Sequence, residues 1–153
     1  MGLSKDLREF IECFNEAKVD FLVVGALAVA RHGFQRYSMD LDFLVRPSEE
    51  NAQRVLAALQ TFGFGALDIE VADFLRPDWV VQLGNEPNRI DLMTSISGVG
   101  FDEAWDGRVA GELDGIAVNY LGLDALLRNK AATGRPKDLI DLYALQQLQK
   151  PED

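Results

Sequence analysis

The sequence is poor in the residues that bind transition metals or form disulfides. Its 153 residues contain one cysteine, Cys13, and one histidine, His32. A lone cysteine cannot form an internal disulfide, which fits a reducing compartment. Without a cluster of cysteine and histidine, zinc chemistry is excluded. We expect Cys13 to lie in the core and His32 to have a structural role at the end of a helix.

Long apolar segments are also missing. The longest run, residues 21–30, has ten residues, whereas a membrane-spanning helix needs roughly 20. The N-terminal residues lack the apolar region of a signal peptide. We therefore expect a cytoplasmic protein with no membrane partner.

Basic residues are scarce relative to acidic ones. Lys and Arg number 15 against 25 Asp and Glu, which gives a formal net charge of −10. An acidic surface repels phosphate backbones, so a broad, sequence-independent nucleic-acid binder is disfavoured, although a local basic patch is compatible with this charge. The length, with no repeat and no Pro/Gly/Ser-rich linker, predicts one domain over residues 1–153.

Short apolar runs alternate with segments of helical periodicity, which predicts an α/β fold. The predicted strands are 21–25, 38–45, 79–83 and 89–93, with a hairpin in 107–120 that turns at Asp114-Gly115. The predicted helices follow Ser4 and Ser48 or span 26–32, 101–105, 123–132 and 136–149, with a helical turn at 71–75. We expect about five strands flanked by helices.

Two predicted strands carry aspartates, which are normally rare in strands. Asp40 and Asp42 share one face because side chains alternate along a strand, and Asp91 recurs between two apolar residues. Neighbouring carboxylates repel unless a cation lies between them, and Mg²⁺ (or Mn²⁺) prefers such oxygen ligands. Asp40 in a turn and Asp42 on an exposed edge would be the alternative. The recurrence at Asp91 favours a shared metal site, provided that the two strands are neighbours.

A glycine lies where the first predicted strand meets the following helix. Gly25 allows close approach of the backbone, and the N–H groups at the start of a helix attract phosphate. The short distance in sequence to Asp40 allows strand, helix and second strand to form one corner that could bind both phosphate and metal.

These residues resemble the nucleotidyltransferase superfamily with the DNA polymerase β-type catalytic fold. Its signature is an apolar strand ending in Gly-Gly or Gly-Ser, a short helix, an Asp-x-Asp or Asp-x-Glu strand, and a third carboxylate on a later strand. The matching pieces are Gly25-Ala26, Asp40-Leu41-Asp42 and Asp91. Ala26 departs from the usual Gly or Ser and cannot donate a hydroxyl hydrogen bond. The resemblance implies a mixed sheet, with a catalytic core over about 18–121 and closing helices over about 122–150.

Residues 130–141 look like the small prokaryotic branch of this superfamily, which includes minimal nucleotidyltransferases and abortive-infection-type toxins. By that similarity Lys130 would contact nucleotide phosphates, and Arg135, Lys137 or Asp138 would line the mouth of the site. Solvated charges at the helix ends are the alternative for this segment. Arg36 and Ser38 match a frequent Arg-x-Ser/Thr-x-Asp-x-Asp pattern and are assigned to nucleotide binding.

The resemblance implies transfer of a nucleotidyl group from a nucleoside triphosphate to a hydroxyl acceptor. Asp40, Asp42 and Asp91 would hold Mg²⁺, and Asp91 is the candidate general base. The acceptor would be a protein, a tRNA or a small molecule, with tRNA disfavoured by the net charge, and a toxin–antitoxin role is compatible. The alternative is a non-catalytic module, such as an antitoxin, that kept the fold and acts through a protein partner.

Overall fold

The computed structural model describes residues 4–35, 40–63, 68–84 and 89–149. The predicted nucleotide-binding residues Arg36 and Ser38 lie outside these ranges. The helices are α1 (Lys5–Glu16), α2 (Gly25–Arg31), α3 (Glu49–Phe62), α4 (Phe101–Asp106), α5 (Leu123–Thr133) and α6 (Pro136–Leu148), with a 3₁₀ helix at Val71–Leu75. The strands are β1 (Phe21–Val24), β2 (Leu41–Val45), β3 (Val80–Leu83), β4 (Ile90–Met93), β5 (Val109–Leu113) and β6 (Ile116–Tyr120).

The strands form one mixed sheet in the order β3-β4-β2-β1-β6-β5. β2 pairs with β4, and β1 with β6, in parallel, whereas the other neighbours are antiparallel. The predicted mixed α/β fold is confirmed. The described sheet has six strands rather than about five, because both arms of the β5–β6 hairpin join it. Asp114 and Gly115 have φ values of 52° and 83°, the positive values that a type I′ hairpin turn requires.

Helices cover both faces of the sheet, which explains why β1 and most of β2 are apolar on both sides. One face packs on α1 and α3 through a cluster that includes Phe10, Phe14, Val23, Phe43, Val55 and Leu92. The opposite face packs on α2, α5 and α6 through a cluster that includes Leu22, Val29, Leu44, Leu126 and Leu145. We call this opposite face the α2 face. Because side chains alternate, neighbouring residues of one strand contribute to different cores.

Helix ends follow the sequence signals. The hydroxyl groups of Ser4 and Ser48 accept hydrogen bonds from the backbone N–H groups of Leu7 and Asn51, which cap α1 and α3. His32 ends α2 and its Nε2 donates a 2.8 Å hydrogen bond to the carbonyl oxygen of Leu121. This contact joins the helix to the chain after β6, so the histidine has the predicted structural role.

Two other predictions concern the burial of Cys13 and membrane insertion, and the two tryptophans differ in their surroundings. Cys13 is half-buried and packs against the first core rather than lying fully inside it. Trp105 stacks on Phe101 at the second core, whereas Trp79 is 39% exposed. Within the described ranges, no helix combines the length and the apolar character that crossing a membrane demands.

Candidate active site

The pairing of β2 with β4 brings the strand-embedded aspartates together. Asp42 lies directly opposite Asp91 in the parallel register, and Asp40 immediately precedes β2. Leu41 and Phe43 point into the first core, so Asp42 between them points to the α2 face. The structure thus places Asp40, Asp42 and Asp91 around one cavity, with Asp42 and Asp91 on interior strands rather than on an exposed edge.

Gly25 begins α2 beside these carboxylates, and its conformation requires glycine. Its φ is +69°, in the left-handed region, and a Cβ at this position would collide with the carboxylate of Asp42. The carboxylate therefore packs directly against the Gly25 backbone. Gly25 and Ala26 both line the same cavity as the three aspartates.

Sequence reasoning missed Arg89, which lies among the aspartates. Its Nη2 donates a 2.9 Å hydrogen bond to Asp40 Oδ2, and its Nε lies 3.3 Å from Asp91 Oδ1. Arg89 comes two residues before Asp91, the spacing that puts both side chains on one face of an extended segment. That spacing was the available signal. Once Asp91 is known to face the cavity, it predicts that Arg89 faces the cavity too.

The surroundings of Asp42 and Asp91 oppose the ionisation of these two side chains. Burial, followed by repulsion from Asp91 and Asp40, raises the pKa of Asp42 from 3.8 to about 6. Burial also raises the pKa of Asp91, against the lowering effect of Arg89. A hydrogen bond joins the Asp42 and Asp91 carboxyl groups. The cluster is therefore stabilised by added positive charge, whether from a proton or from a cation.

The aspartates line a cavity of about 800 Å³ that also reaches the α5–α6 connection. The described lining has six aspartates, Asp40, Asp42, Asp78, Asp91, Asp138 and Asp141, and four basic residues, Arg89, Lys130, Arg135 and Lys137. The excess of aspartates favours a cation inside the cavity. The basic residues Lys130, Arg135 and Lys137 make the lining near the α5–α6 connection locally positive.

Lys130 lines this cavity but is buried, with 7% exposure. Its Nζ lies 3.0 Å from Asp138 Oδ1 and 3.2 Å from Asp141 Oδ2. The other Asp138 oxygen accepts hydrogen bonds from Thr133 Oγ1 and Arg135 Nε, both at 2.7 Å. Burial alone would raise the pKa of Asp138, but these three donors outweigh it and lower the pKa to about 2. Asp138 is thus an ionised, fully hydrogen-bonded group.

Arg135 and Lys137 differ from Lys130 in that they are exposed. They flank Pro136, the first residue of α6, so the start of this helix faces the cavity. The N-terminus of a helix and nearby cations together attract anions. The predicted mouth residues Arg135, Lys137 and Asp138 all line the cavity, with Asp138 on its buried side.

A family model described as nucleotidyl transferase of unknown function (DUF2204) matches residues 3–152. The chain belongs to this family. The match confirms the predicted nucleotidyltransferase superfamily. No curated protein matches the sequence.

The crystal structure of a presumed nucleotidyltransferase (TM1012) from Thermotoga maritima resembles this member of the nucleotidyl transferase family. The TM-score is 0.55 at 17% sequence identity, and the alignment covers 97% of this chain and 94% of the other. At this identity the likeness shows the shared fold. It extends over nearly the whole of both chains, helices α5 and α6 included.

The donor set of this nucleotidyl transferase family member fits a hard divalent cation in its chemistry. Asp40, Asp42 and Asp91 offer carboxylate oxygens to one cavity. The raised pKa of Asp42 indicates that a nearby positive charge would stabilise these carboxylates. As the side chains stand, no group of three His, Cys, Asp or Glu residues in the described part of the chain has the arrangement of a metal site. Arg89 contacts two of the three aspartates in this arrangement.

Proposed function

We propose that this protein transfers a nucleotidyl group from a nucleoside triphosphate to a hydroxyl acceptor. Asp40, Asp42 and Asp91 would hold Mg²⁺ or Mn²⁺, which, when bound, neutralises phosphate charge. The proposal rests on one observation above the others. Asp42 and Asp91 lie opposite each other on adjacent parallel strands and line a cavity to which the α5–α6 connection contributes basic residues.

In the proposed reaction, Asp91 accepts the proton of the acceptor hydroxyl. The hydroxyl oxygen attacks the α-phosphorus in line, a P–O bond forms to the acceptor, and the bond to the leaving pyrophosphate breaks. The burial that raises the pKa of Asp91 makes this carboxylate a stronger base than an exposed aspartate. Asp40 and Asp42 would act with Asp91 as the carboxylates that hold the cation.

The triphosphate is assigned to the start of α2 and to the α5–α6 connection, which both line the cavity. Gly25 and Ala26 would approach it through their backbone, because neither side chain offers a donor. Arg135 and Lys137 are exposed, which suits direct contact with phosphate oxygens. Lys130 would contribute its charge from a buried position, where Asp138 and Asp141 hold it. By resemblance, Arg36 and Ser38 also belong to the nucleotide site.

The proposal includes a hydroxyl acceptor on a protein, a tRNA 3′ end or a small molecule. The net charge of −10 disfavours the tRNA. A role in a toxin–antitoxin pair, with a protein partner, is consistent with the resemblance to small prokaryotic nucleotidyltransferases. Incubation with α-labelled nucleoside triphosphates and a cell extract would identify the acceptor by the label it acquires.

The proposed function is tested by titrating each nucleoside triphosphate into the protein with Mg²⁺ and with EDTA, using calorimetry. We expect binding of at least one nucleotide that depends on Mg²⁺, and label transfer that D42N and D91N reduce by roughly a hundredfold or more. D78N is the matched control, since Asp78 lines the same cavity but its carboxylate accepts a hydrogen bond from Ser95. Its activity should stay within about threefold of the wild type.

Two results would contradict the proposal. One is nucleotide binding of equal strength with Mg²⁺ and with EDTA. The other is no nucleotide binding at all by the folded wild-type protein, which would favour the non-catalytic alternative with a protein partner.

A further inference from the structure

Arg89 contacts two of the three carboxylates that the proposed function assigns to a divalent cation. Its Nη2 lies 2.9 Å from Asp40 Oδ2 and its Nε lies 3.3 Å from Asp91 Oδ1. Two different nitrogens make these contacts, so the guanidinium bridges the residue before β2 and the middle of β4. The positive charge of Arg89 therefore already lies against two of the carboxylates.

The backbone of Arg89 is fixed, whereas its side chain reaches the cavity. The carbonyl oxygen of Arg89 accepts a 3.0 Å hydrogen bond from the backbone N–H of Leu41, which continues the β2–β4 pairing. The side chain is 31% exposed and lines the cavity. Rotation about its side-chain bonds can therefore move the guanidinium off the carboxylates without a change in the sheet.

We propose that Arg89 sets the affinity of this site for a divalent cation and couples cation binding to nucleotide binding. The inference rests on the proposed function, which places the cation on Asp40 and Asp91. A guanidinium and a divalent cation at the same carboxylates repel each other strongly. The cation alone must displace Arg89, whereas a cation bound to a triphosphate also brings phosphate oxygens that accept the displaced guanidinium.

A purely structural role for Arg89 predicts the opposite outcome. In that case the guanidinium only holds Asp40 and Asp91 in position, and its removal lets the two carboxylates move apart. Affinity for the cation would then fall or stay the same. The direction of the change in cation affinity therefore separates the two roles.

The experiment is a calorimetric titration of Mn²⁺ into the full chain without nucleotide, comparing the wild type with R89M. We expect R89M to bind Mn²⁺ roughly tenfold more tightly, the change that removal of one competing charge produces. In EDTA the melting temperature of R89M should be lower than that of the wild type, and Mn²⁺ should raise it by more. R128M is the control, since Arg128 pairs with Glu103 outside the cavity lining, and its Mn²⁺ affinity should equal that of the wild type.

R89K keeps the charge but lacks the second nitrogen that bridges both carboxylates, so it should bind Mn²⁺ with an intermediate affinity. If R89M is insoluble, R89K decides: a gain in affinity supports the proposal, and no gain overturns it. Mn²⁺ affinity of R89M equal to or below that of the wild type would also overturn it.

If the wild type still binds Mg²⁺ with a nucleotide and D91N does not, the proposed function survives that loss. If neither the wild type nor R89M binds either metal in a manner that depends on Asp91, the proposed function fails as well.

Discussion

The cavity contains two aspartate clusters whose electrostatic surroundings are opposite. In the α5–α6 cluster, Asp138 and Asp141 meet the ammonium of Lys130, and Thr133 and Arg135 add two further donors to Asp138. In the sheet cluster, the guanidinium of Arg89 contacts Asp40 and Asp91, whereas Asp42 shares a hydrogen bond with Asp91. Both clusters are partly or wholly buried, so burial alone does not distinguish them.

The pKa values show what this difference means for stability. The pKa of Asp138 is lowered to about 2, so its ionised form stabilises the fold above the unfolded value of 3.8, and that stability is lost as the pH falls towards 2. The pKa of Asp42 is raised to about 6, so its stabilising contribution is present below pH 3.8 and is lost as the pH rises through 6. At neutral pH the ionised α5–α6 cluster therefore stabilises the fold. Ionisation of the sheet cluster destabilises the fold, and a bound cation would reduce this destabilisation.

Removal of the central cation of the α5–α6 cluster should have the largest effect on stability. K130M leaves Asp138 and Asp141 buried without their shared ammonium, so we expect the free energy of unfolding to fall by about 3–5 kcal/mol. Urea denaturation followed by circular dichroism measures it.

K137M is the control for this substitution. It removes an exposed lysine from the same connection and should change the free energy of unfolding by less than about 0.5 kcal/mol. A loss below about 1 kcal/mol for K130M would mean that the two clusters do not differ in the way proposed.

Neutralisation of the sheet cluster should act in the opposite direction. D42N imitates the protonated carboxyl group that donates to Asp91, so at pH 8 in EDTA we expect it to raise the free energy of unfolding by about 2–3 kcal/mol. The gain should shrink as the pH falls through 6, be small near pH 4 and vanish well below pH 3.8, where the wild-type Asp42 is protonated in both states.

Urea denaturation of D42N and the wild type at pH 4, 6 and 8 checks this. D78N provides the comparison, because Asp78 lines the same cavity but its carboxylate accepts a hydrogen bond from Ser95. If D42N were less stable than the wild type at pH 8, the sheet cluster would be as well satisfied as the α5–α6 cluster.

The smallest of these effects concerns the contact between the sheet cluster and α2. G25A introduces a Cβ at φ +69° that collides with the Asp42 carboxylate, and we expect a loss of about 2 kcal/mol in the free energy of unfolding. The matched control is G100A, since Gly100 has φ −76° and open space at its Cβ position. Equal stability of G25A and G100A in thermal denaturation would show that Asp42 is not held against the Gly25 backbone.

Much of the fold could be predicted from local patterns. The Ser4 and Ser48 caps, the Asp114-Gly115 turn and the apolar strand at 21–24 are local features, because each depends on neighbours within a few residues. The hairpin was also predictable, but it is the tertiary pairing of β6 with β1 that joins both of its arms to the same sheet.

The candidate site was predictable in part. Asp40, Asp42 and Asp91 stand out because aspartate is unusual within apolar strands. Arg89 did not, since an arginine just before an apolar run is ordinary until the register of β2 with β4 places it beside Asp40 and Asp91. The burial of Lys130 was likewise hidden, because a lysine near the end of a helix usually lies in solvent, and only the packing of α6 on α5 encloses it with Asp138 and Asp141.

Local sequence patterns are enough to assign the strands and helices, and they also reveal carboxylates where a strand normally has apolar residues. Backbone preferences and side-chain periodicity depend on residues that are close in sequence, so they can be recognised from the sequence. Which charges meet depends on how the elements pack: Arg89 contacts two sheet aspartates, and Lys130 contacts two helix aspartates. Electrostatic pairing depends on distance in space and on burial, and neither is fixed until the sheet and the helices have packed.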